Sequence, residues 1–227
     1  EATRRSSEAR PIEREWFMGA LSSPPRTVNQ PGTHIERGAT ADAETIAETL
    51  LAALDADPFV RWLARPTPRA REAYVALMLE GLALPRGQVW LARDGDAIVG
   101  ASLWAPPHTF GLGDTFRLLP RMLEVVGFRR LSAVGKVLDA IERDRPPEPR
   151  WLLTLVGVVP ERRGRGIGAA LLEPGIRQAD AEGAAVALET ADRRNLPFYE
   201  RAGFAVTASR SLAPGGPESF TLVRPPS

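Results

Sequence analysis

The sequence predicts a mixed α/β domain in which about seven strands form one sheet flanked by helices. Helical and strand-like hydrophobic patterns alternate along the chain from about residue 34 onward. The run WLLTLVGVV, residues 151–159, is almost continuously apolar, which is typical of a central strand covered on both faces. The chain has 227 residues, of which 44% are hydrophobic, so it can bury one core of generous size.

A strand, two helices, a hairpin and two further helices precede the central strand. Thr40 or Asp42 caps the first predicted helix, which ends before Pro58. Asp94 and Gly95 form the predicted turn of the hairpin, because this pair readily adopts positive φ. The other predicted bounds are about 34–39 for the strand, 68–84 for the second helix, 89–93 and 97–104 for the hairpin, and 115–126 and 131–142 for the last two helices.

A glycine-rich and arginine-rich turn follows the central strand, and helices then alternate with strands to the end. The predicted bounds are about 166–182 and 196–202 for two helices, and 185–189, 204–209 and 219–223 for three strands. Residues 1–32 are rich in Arg, Glu, Ser and Pro and lack a sustained period. They are therefore predicted to be an N-terminal tail, and residues 33–227 to be the folded domain.

Composition narrows the classes of partner and chemistry. The 29 Lys and Arg residues nearly balance the 28 Asp and Glu residues, so no global field draws in nucleic acid or an anionic membrane. There is no cysteine, which excludes a thiol nucleophile, disulfides and thiolate zinc sites, and with only two histidines a multi-histidine metal site is improbable. No stretch reaches the roughly 18 apolar residues of a membrane helix. We expect a cytoplasmic monomer or homodimer, and the arginine-rich, alanine-rich composition indicates a bacterial source.

The most specific motif is VGVVPERRGRGIGAALL, residues 156–172. Glycines between a buried strand and a helix leave backbone N–H groups uncovered, and the helix dipole adds positive character there. Such a turn suits a pyrophosphate, to which Arg162, Arg163 and Arg165 could add cationic donors. A Walker loop does not fit, because no GKS or GKT follows. A dinucleotide-binding fingerprint fits weakly, because the glycines alternate as GxGxG and lie late in the chain. An ordinary surface turn is the remaining alternative.

These residues resemble the GCN5-related N-acetyltransferase (GNAT) family. Arg163, Gly166 and Gly168 fill the RxxGxG pattern with which that family holds the pyrophosphate of acetyl-CoA, and RNLPFYERAGFAVT, residues 194–207, matches its late asparagine and FYxxxGF segment. The resemblance covers about residues 34–224. It implies the GNAT fold, in which a mostly antiparallel sheet of about seven strands is splayed at the acetyl-CoA site.

Within the family the chain is similar to the puromycin N-acetyltransferases. The shared segments are LWAPP at 103–107, EPRWLLTLVGVVPERRGRGIG at 148–168, LLEPG at 171–175, LET at 188–190 and NLPFYERAGF at 195–204. Relatives often carry a histidine just before the central strand, where this chain has Asp144. A histidine-assisted deprotonation at that place is therefore in doubt.

The resemblance implies a role for each matching residue. The Val158 N–H is expected to bind the acetyl carbonyl, Tyr199 to act as general acid, and Asn195 to bind the pantetheine. Phenol chemistry suits Tyr199, because a thiol leaving group has a pKa near 8.5 and a phenol near 10 can donate to it. The residues expected to bind acetyl-CoA are Val156, Val158, Arg163, Gly164, Arg165, Gly166, Ile167, Gly168, Ala169 and Asn195.

The general base and the acceptor pocket are less determined by the sequence. Glu189, at the carboxyl end of a strand, is the first candidate base, with Asp144, Glu142 or water as alternatives. Three aromatic residues either line an acceptor pocket or belong to the core: Trp104, Phe110 and Phe116.

The predicted activity is direct transfer of acetyl from acetyl-CoA to a primary amine of a small molecule, such as puromycin or another antibiotic or metabolite, without a metal. Two alternatives stay open, namely a protein N-terminal or lysine acetyltransferase and a non-catalytic acyl-CoA-binding module.

Overall fold

A computed structural model describes residues 32–109, 112–147, 149–213 and 216–227, without the side chains of residues 112–116. Residues 1–31 of the predicted tail and Phe110 lie outside the described residues. Seven strands form one sheet in the order β1-β2-β3-β4-β5-β7-β6, and all neighbours are antiparallel except β4 and β5. The strands are β1 Thr33–Arg37, β2 Gln88–Asp94, β3 Ala97–Ala105, β4 Arg150–Val158, β5 Ala185–Thr190, β6 Ala205–Ser211 and β7 Glu218–Arg224. The predicted sheet is confirmed.

The central strands β4 and β5 part from each other after three residue pairs. Arg150, Trp151 and Leu152 pair with residues 185–187, and no later residue of β4 pairs with β5. Beyond this point β4 continues to pair with β3 up to Val158, while β5 continues with β7 up to Thr190. The two strands therefore open a notch in the middle of the sheet.

Helices cover both faces of the sheet. Their bounds are α1 Ala43–Leu54, α2 Pro58–Leu63, α3 Pro68–Met78, α4 Leu84–Arg86, α5 Leu112–Val126, α6 Phe128–Asp144, α7 Ile167–Ala181 and α8 Leu196–Glu200. A π-helical segment, Leu79–Ala83, joins α3 to α4, so the predicted helix over 68–84 is interrupted. In the described part of the chain, no helix has both the length and the apolar character to cross a membrane.

Pro58 begins a helix, whereas the sequence predicted that it only ended one. Asp57 is the N-cap of α2, and its side chain accepts a hydrogen bond from the Val60 N–H. Pro58 occupies the first turn, where the missing N–H costs nothing because no intrahelical acceptor faces it. An aspartate before a proline is therefore a helix start here.

The two largest hydrophobic clusters of the described residues, called here the first and the second core, lie on opposite faces of the sheet. Leu50 of α1 and Tyr74 of α3 belong to the first core, whereas Leu172 of α7 and Tyr199 of α8 belong to the second. Trp104 is wholly buried in the second core, so of its two predicted places it takes the core and not an acceptor pocket. The side chain of Phe116 is not among those described.

The contact between Gly175 and Trp104 allows a stability prediction. A Cβ at position 175 would lie 2.2 Å from the indole ring. The indole has little room to move, because its Nε1–H donates to Ser102 Oγ (3.0 Å) and Ser102 donates to the Leu171 carbonyl (2.8 Å). We expect Gly175→Val to lower the free energy of unfolding by about 3 kcal/mol, measured by urea denaturation.

Gly135 of α6 is the matched control, because no atom lies within 4 Å of the position that its Cβ would take. Gly135→Ala should raise the free energy of unfolding by roughly 0.5–1 kcal/mol, since alanine is the better helix former. Equal denaturation midpoints for the two variants would contradict the packing described for Trp104.

Candidate active site

The turn between β4 and α7 has a conformation that glycine adopts easily and other residues do not. Gly164 and Gly166 have φ angles of +73° and +80°. Gly166 is the N-cap of α7, and Ile167 is the first residue of the helix. Two left-handed residues so close together explain why the sequence needs glycine at both positions.

This turn presents a row of backbone donors. Within the described residues, no N–H from Gly164 to Ala169 has a hydrogen-bond acceptor, and the first bond of the helix runs from the Ala170 N–H to the Gly166 carbonyl (3.1 Å). The positive end of the α7 dipole lies at the same place. The turn therefore has the character of an anion site that fits a pyrophosphate.

The three arginines of the turn differ in what they contact. Arg162 forms an ion pair with Asp94 (2.6 Å). Arg163 donates to two backbone carbonyls, those of Val158 (3.1 Å) and Ala53 (2.8 Å). Arg165 is exposed and has no partner among the described residues. Arg163 thus holds the turn against the end of α1, and Arg165 has the guanidinium without a partner in this part of the described chain. The phosphate-binding roles of Arg163 and Arg165 stay predictions.

The backbone of β4 directs hydrogen-bonding groups into the notch. The Val159 N–H donates to the Val99 carbonyl of β3 (3.0 Å). Every second residue of a strand directs its backbone N–H and C=O to the same side, so those of residues 155 and 157 also point to β3. In an antiparallel pair the alternate residues face the other way, so Val156 and Val158 face the notch. Their side chains are half-buried and pack against Ile167 of α7.

Helix α8 brings Tyr199 and Asn195 to the same region. Tyr199 shares the second core with Val156, and Phe198 lies edge-on to Tyr199 with ring centroids 4.9 Å apart. Phe198 also touches the start of α7, because a Cβ at Gly168 would be 3.3 Å from its ring. Asn195 Nδ2 donates to Thr190 Oγ1 (3.4 Å) at the end of β5. Packing therefore connects α8 directly to the glycine turn.

The hydroxyl of Tyr199 stays protonated well into alkaline solution. Burial raises the pKa of Tyr199 above its usual range, and the charge of Asp57 raises it further. The side chain is only 7% exposed, and no hydrogen bond of its hydroxyl occurs among the described residues. Tyr199 is thus available as a neutral donor at ordinary pH.

The three predicted candidate bases are all bound by arginines. Glu189 accepts two hydrogen bonds from Arg145, at 2.7 and 2.6 Å. Asp144 pairs with Arg210 (2.6 Å), and Glu142 pairs with Arg145 (2.8 Å) and with Arg150. Taking up a proton at any of them would weaken a charge-assisted bond. The catalytic role of Glu189 stays a prediction.

Two residues of this region were missed by the sequence analysis. Tyr74 of α3 is buried, and its pKa is raised by that burial and then by the charges of Asp57 and Glu189. Asp57 therefore acts on both tyrosines of the chain, which lie on α3 and α8. The only local signal for Asp57 was the Asp-Pro pair at the start of α2.

Comparison with known proteins gives a family match over most of the chain. The model of the acetyltransferase (GNAT) family matches residues 48–204. A mycothiol acetyltransferase from Propionibacterium freudenreichii is 38% identical over 69 residues, which is 29% of this chain and 22% of that relative. The chain thus matches about a fifth of the length of that relative.

Solved structures of the same fold cover most of the described chain. A Corynebacterium glutamicum protein described as histone acetyltransferase HPA2 and related acetyltransferase superimposes with a TM-score of 0.62 and 28% identity, over 86% of this chain and 97% of the other. A Drosophila melanogaster polyamine N-acetyltransferase that forms N-acetylagmatine gives a TM-score of 0.65 at 18% identity, over 85% and 99%. The fold of this chain is therefore that of these acetyltransferases.

Proposed function

Because this chain belongs to the acetyltransferase (GNAT) family, we propose that it moves an acetyl group from acetyl-CoA to a primary amine of a small molecule. The observation that carries the proposal is the row of uncovered N–H groups from Gly164 to Ala169, which lies beside the notch between β4 and β5. The turn suits the pyrophosphate of CoA, and the notch suits an extended arm that pairs with a strand edge.

Each residue of the site has a physical task in this proposal. The Val158 N–H faces the notch and stabilises the charge that develops on the acetyl oxygen during attack. Tyr199 donates a proton to the departing thiolate, and its raised pKa supports this role because the donor stays protonated. Asn195 orients the pantetheine arm. Bound acetyl-CoA supplies an activated thioester, and the amine attacks it directly without an enzyme-bound intermediate.

The acceptor is proposed to be a compact amine of the puromycin kind. This acceptor is supported by the sequence segments that the chain shares, in the same order, with puromycin N-acetyltransferases, from LWAPP at 103–107 to NLPFYERAGF at 195–204. The solved structure of the same fold from Drosophila melanogaster is described as a polyamine N-acetyltransferase, which supports a small amine as acceptor. We propose residues 33–227 as the catalytic domain, acting as a monomer or homodimer in the cytoplasm with neither metal nor nucleic acid.

A second candidate is acetylation of protein N-termini or lysines. It is favoured by the likeness, at 28% identity, to the structure described as a histone acetyltransferase. The third candidate is an acyl-CoA-binding module without turnover.

An acetyl-CoA turnover screen separates these candidates. The amine panel is puromycin, agmatine, an arylalkylamine, a peptide with a free N-terminus and a peptide with a free lysine. Released CoA is measured with a thiol reagent, which has no background because the chain contains no cysteine. We expect turnover with small amines, puromycin first. Turnover with peptides alone would support the second candidate, and thermal stabilisation by acetyl-CoA without CoA release would support the third.

A further inference from the structure

The last turn of α1, just before Asp57 in the chain, is held against the end of β4 by two contacts. Arg163 donates to the carbonyls of Val158 and Ala53 at once, which fixes the last turn of α1 beside the end of β4. Gly157 allows this close approach, because a Cβ there would be 2.6 Å from the Ala53 Cβ. Asp57 follows Ala53 by four residues, after a turn in which its N–H donates to the Leu54 carbonyl (3.0 Å). Asp57 thus emerges on the side of β4 that α1 covers.

The carboxylate of Asp57 is close enough to both tyrosines of the chain to act on them electrostatically. Its charge acts on Tyr74 of α3 and on Tyr199 of α8, both of which are buried. Asp192, which follows β5, acts in turn on Asp57. Asp57 therefore interacts electrostatically with side chains of α3, of α8 and of the segment that follows β5.

Asp57 differs from the neighbouring carboxylates in having no arginine partner among the described residues. Glu189 is bound by Arg145, and Asp192 is bound by Arg194 (2.7 Å). Burial raises the pKa of Asp57 above its usual range, and the charge of Asp192 adds to this, although backbone N–H groups act in the opposite direction. A carboxylate in such a place gains by meeting a cation and accepts a proton more readily than an exposed aspartate.

We propose that Asp57 binds the ammonium group of the acceptor and takes its proton before the amine attacks. This role rests on the proposed function and names the general base of that same site. It assigns to Asp57 the task that the sequence predicted for Glu189.

The proposed step conserves atoms, electrons and charge. The ammonium R–NH3+ loses one proton to the Asp57 carboxylate, and the nitrogen lone pair forms a bond to the acetyl carbon of acetyl-CoA. The C–S bond breaks with its electron pair on sulfur, Tyr199 gives the sulfur a proton, and the second proton of the nitrogen returns to Tyr199. Asp57 finally releases its proton to water, so the products are the amide, the CoA thiol and one H+.

The capping role of Asp57 can be separated from the proposed chemical role. Asparagine and serine are good N-caps, so Asp57→Asn and Asp57→Ser keep an acceptor for the Val60 N–H while removing the carboxylate. Asp55→Asn is the matched control. Asp55 is exposed and pairs with Arg61 and Arg71, so its loss removes a nearby charge without touching the site.

The full chain and these variants are assayed with puromycin, and with agmatine if the panel shows faster turnover of it. We expect Asp57→Asn and Asp57→Ser to lower kcat/KM roughly 30-fold at pH 7, while Asp55→Asn leaves it unchanged. The dissociation constant for acetyl-CoA and the thermal midpoint should stay at their wild-type values in all three variants, because the cap and the glycine turn are preserved.

The pH profile distinguishes a base from a structural residue. Without Asp57 only the free amine reacts, so kcat/KM of Asp57→Asn should rise about tenfold per pH unit below the pKa of the amine. The deficit should therefore shrink between pH 6 and pH 9. The groups coupled electrostatically to Asp57 are Tyr74, Tyr199 and Asp192, which is paired with Arg194, and the tyrosines stay neutral over this interval. Glu189, paired with Arg145, acts on Tyr74.

Three results would overturn the proposal. The first is an unchanged kcat/KM in Asp57→Asn, which would show that Asp57 is not the general base. The second is a deficit that is constant with pH and accompanied by a lower thermal midpoint, which would show that Asp57 only caps α2. The third is a deficit in Glu189→Gln, and not in Asp57→Asn, that shrinks as the pH rises, which would assign the general base to Glu189. If the wild-type chain releases no CoA with any amine of the panel, the proposed function itself fails, which is a different outcome.

Discussion

Replacing Tyr199 by phenylalanine should lower kcat roughly a thousandfold, the magnitude expected when a well-placed general acid is lost. The ring stays, so the contacts with Phe198 and Phe204 are kept. Only the hydroxyl is removed, and no hydrogen bond of that hydroxyl occurs in the described part of the chain. The thiolate must then leave unprotonated or take its proton from water.

The pattern of kinetic changes matters as much as the size of the loss. Because Tyr199 acts in the bond-breaking step, kcat and kcat/KM should fall together, while the dissociation constant for acetyl-CoA stays nearly constant. Isothermal titration measures this constant, and release of CoA thiol measures turnover. A thermal midpoint equal to that of the wild type shows that the fold is kept. Unchanged turnover in Tyr199→Phe would refute the general-acid role.

The pH dependence follows from the direction of the tyrosine pKa. Burial and the charge of Asp57 raise the pKa of Tyr199, so its neutral, donating form persists above the pH at which an exposed tyrosine ionises. We expect no alkaline loss of kcat attributable to Tyr199 up to about pH 10, the ordinary tyrosine pKa. A fall of kcat that begins near pH 8 and disappears in Tyr199→Phe would contradict the environment described for this residue.

The sheet and the glycine turn could be predicted because their signals are local. The apolar run before Val159 marks the central strand, and Gly164 and Gly166 mark a turn that requires positive φ. Neither signal depends on residues far away in the chain. The seven-strand, mostly antiparallel sheet matched what the resemblance implied.

The partners of charged residues could not be predicted, because they depend on distant contacts. Glu189 was interpreted as the first candidate base, but its partner could not be named: Arg145 lies 44 residues earlier and binds both of its oxygens. Arg163 was interpreted as a phosphate ligand, yet its guanidinium reaches Ala53, 110 residues away. The sequence shows that these charges exist, but only the folded chain determines which of them are already paired.

Asp57 was missed for a more local reason. Pro58 was interpreted as the end of α1, and this excluded a helix directly after it. Proline is also common in the first turn of a helix, where an aspartate before it supplies the N-cap. The two interpretations differ only in the structure of the residues after the proline, and PFVRWL, residues 58–63, is too short for a clear helical period. The sequence signal for such a short helix is therefore its N-cap, here Asp57 followed by Pro58.

Replacing Gly166 by valine should raise the dissociation constant for CoA about a hundredfold, or about 2.7 kcal/mol. The φ of +80° at Gly166 is strained for any other residue, and most of all for a β-branched one. The new side chain also stands where the uncovered N–H groups approach the phosphates. Strain in this turn is expected to lower the free energy of unfolding by roughly 1–3 kcal/mol, whereas the weaker CoA binding comes from steric obstruction of the N–H groups.

Gly183→Val is the control that separates a general effect of strain from an effect on the anion site. Gly183 has a φ of +63°, and no atom lies within 4 Å of its Cβ position. It follows the other end of α7, so Gly183→Val should lower the thermal midpoint as Gly166→Val does while leaving the dissociation constant for CoA unchanged. Equal CoA affinities for the two variants, measured by isothermal titration, would contradict the pyrophosphate site at the start of α7. A hundredfold difference between them would instead assign CoA binding to the end of the helix at which Gly166 lies, because the strain is common to both and only the location differs.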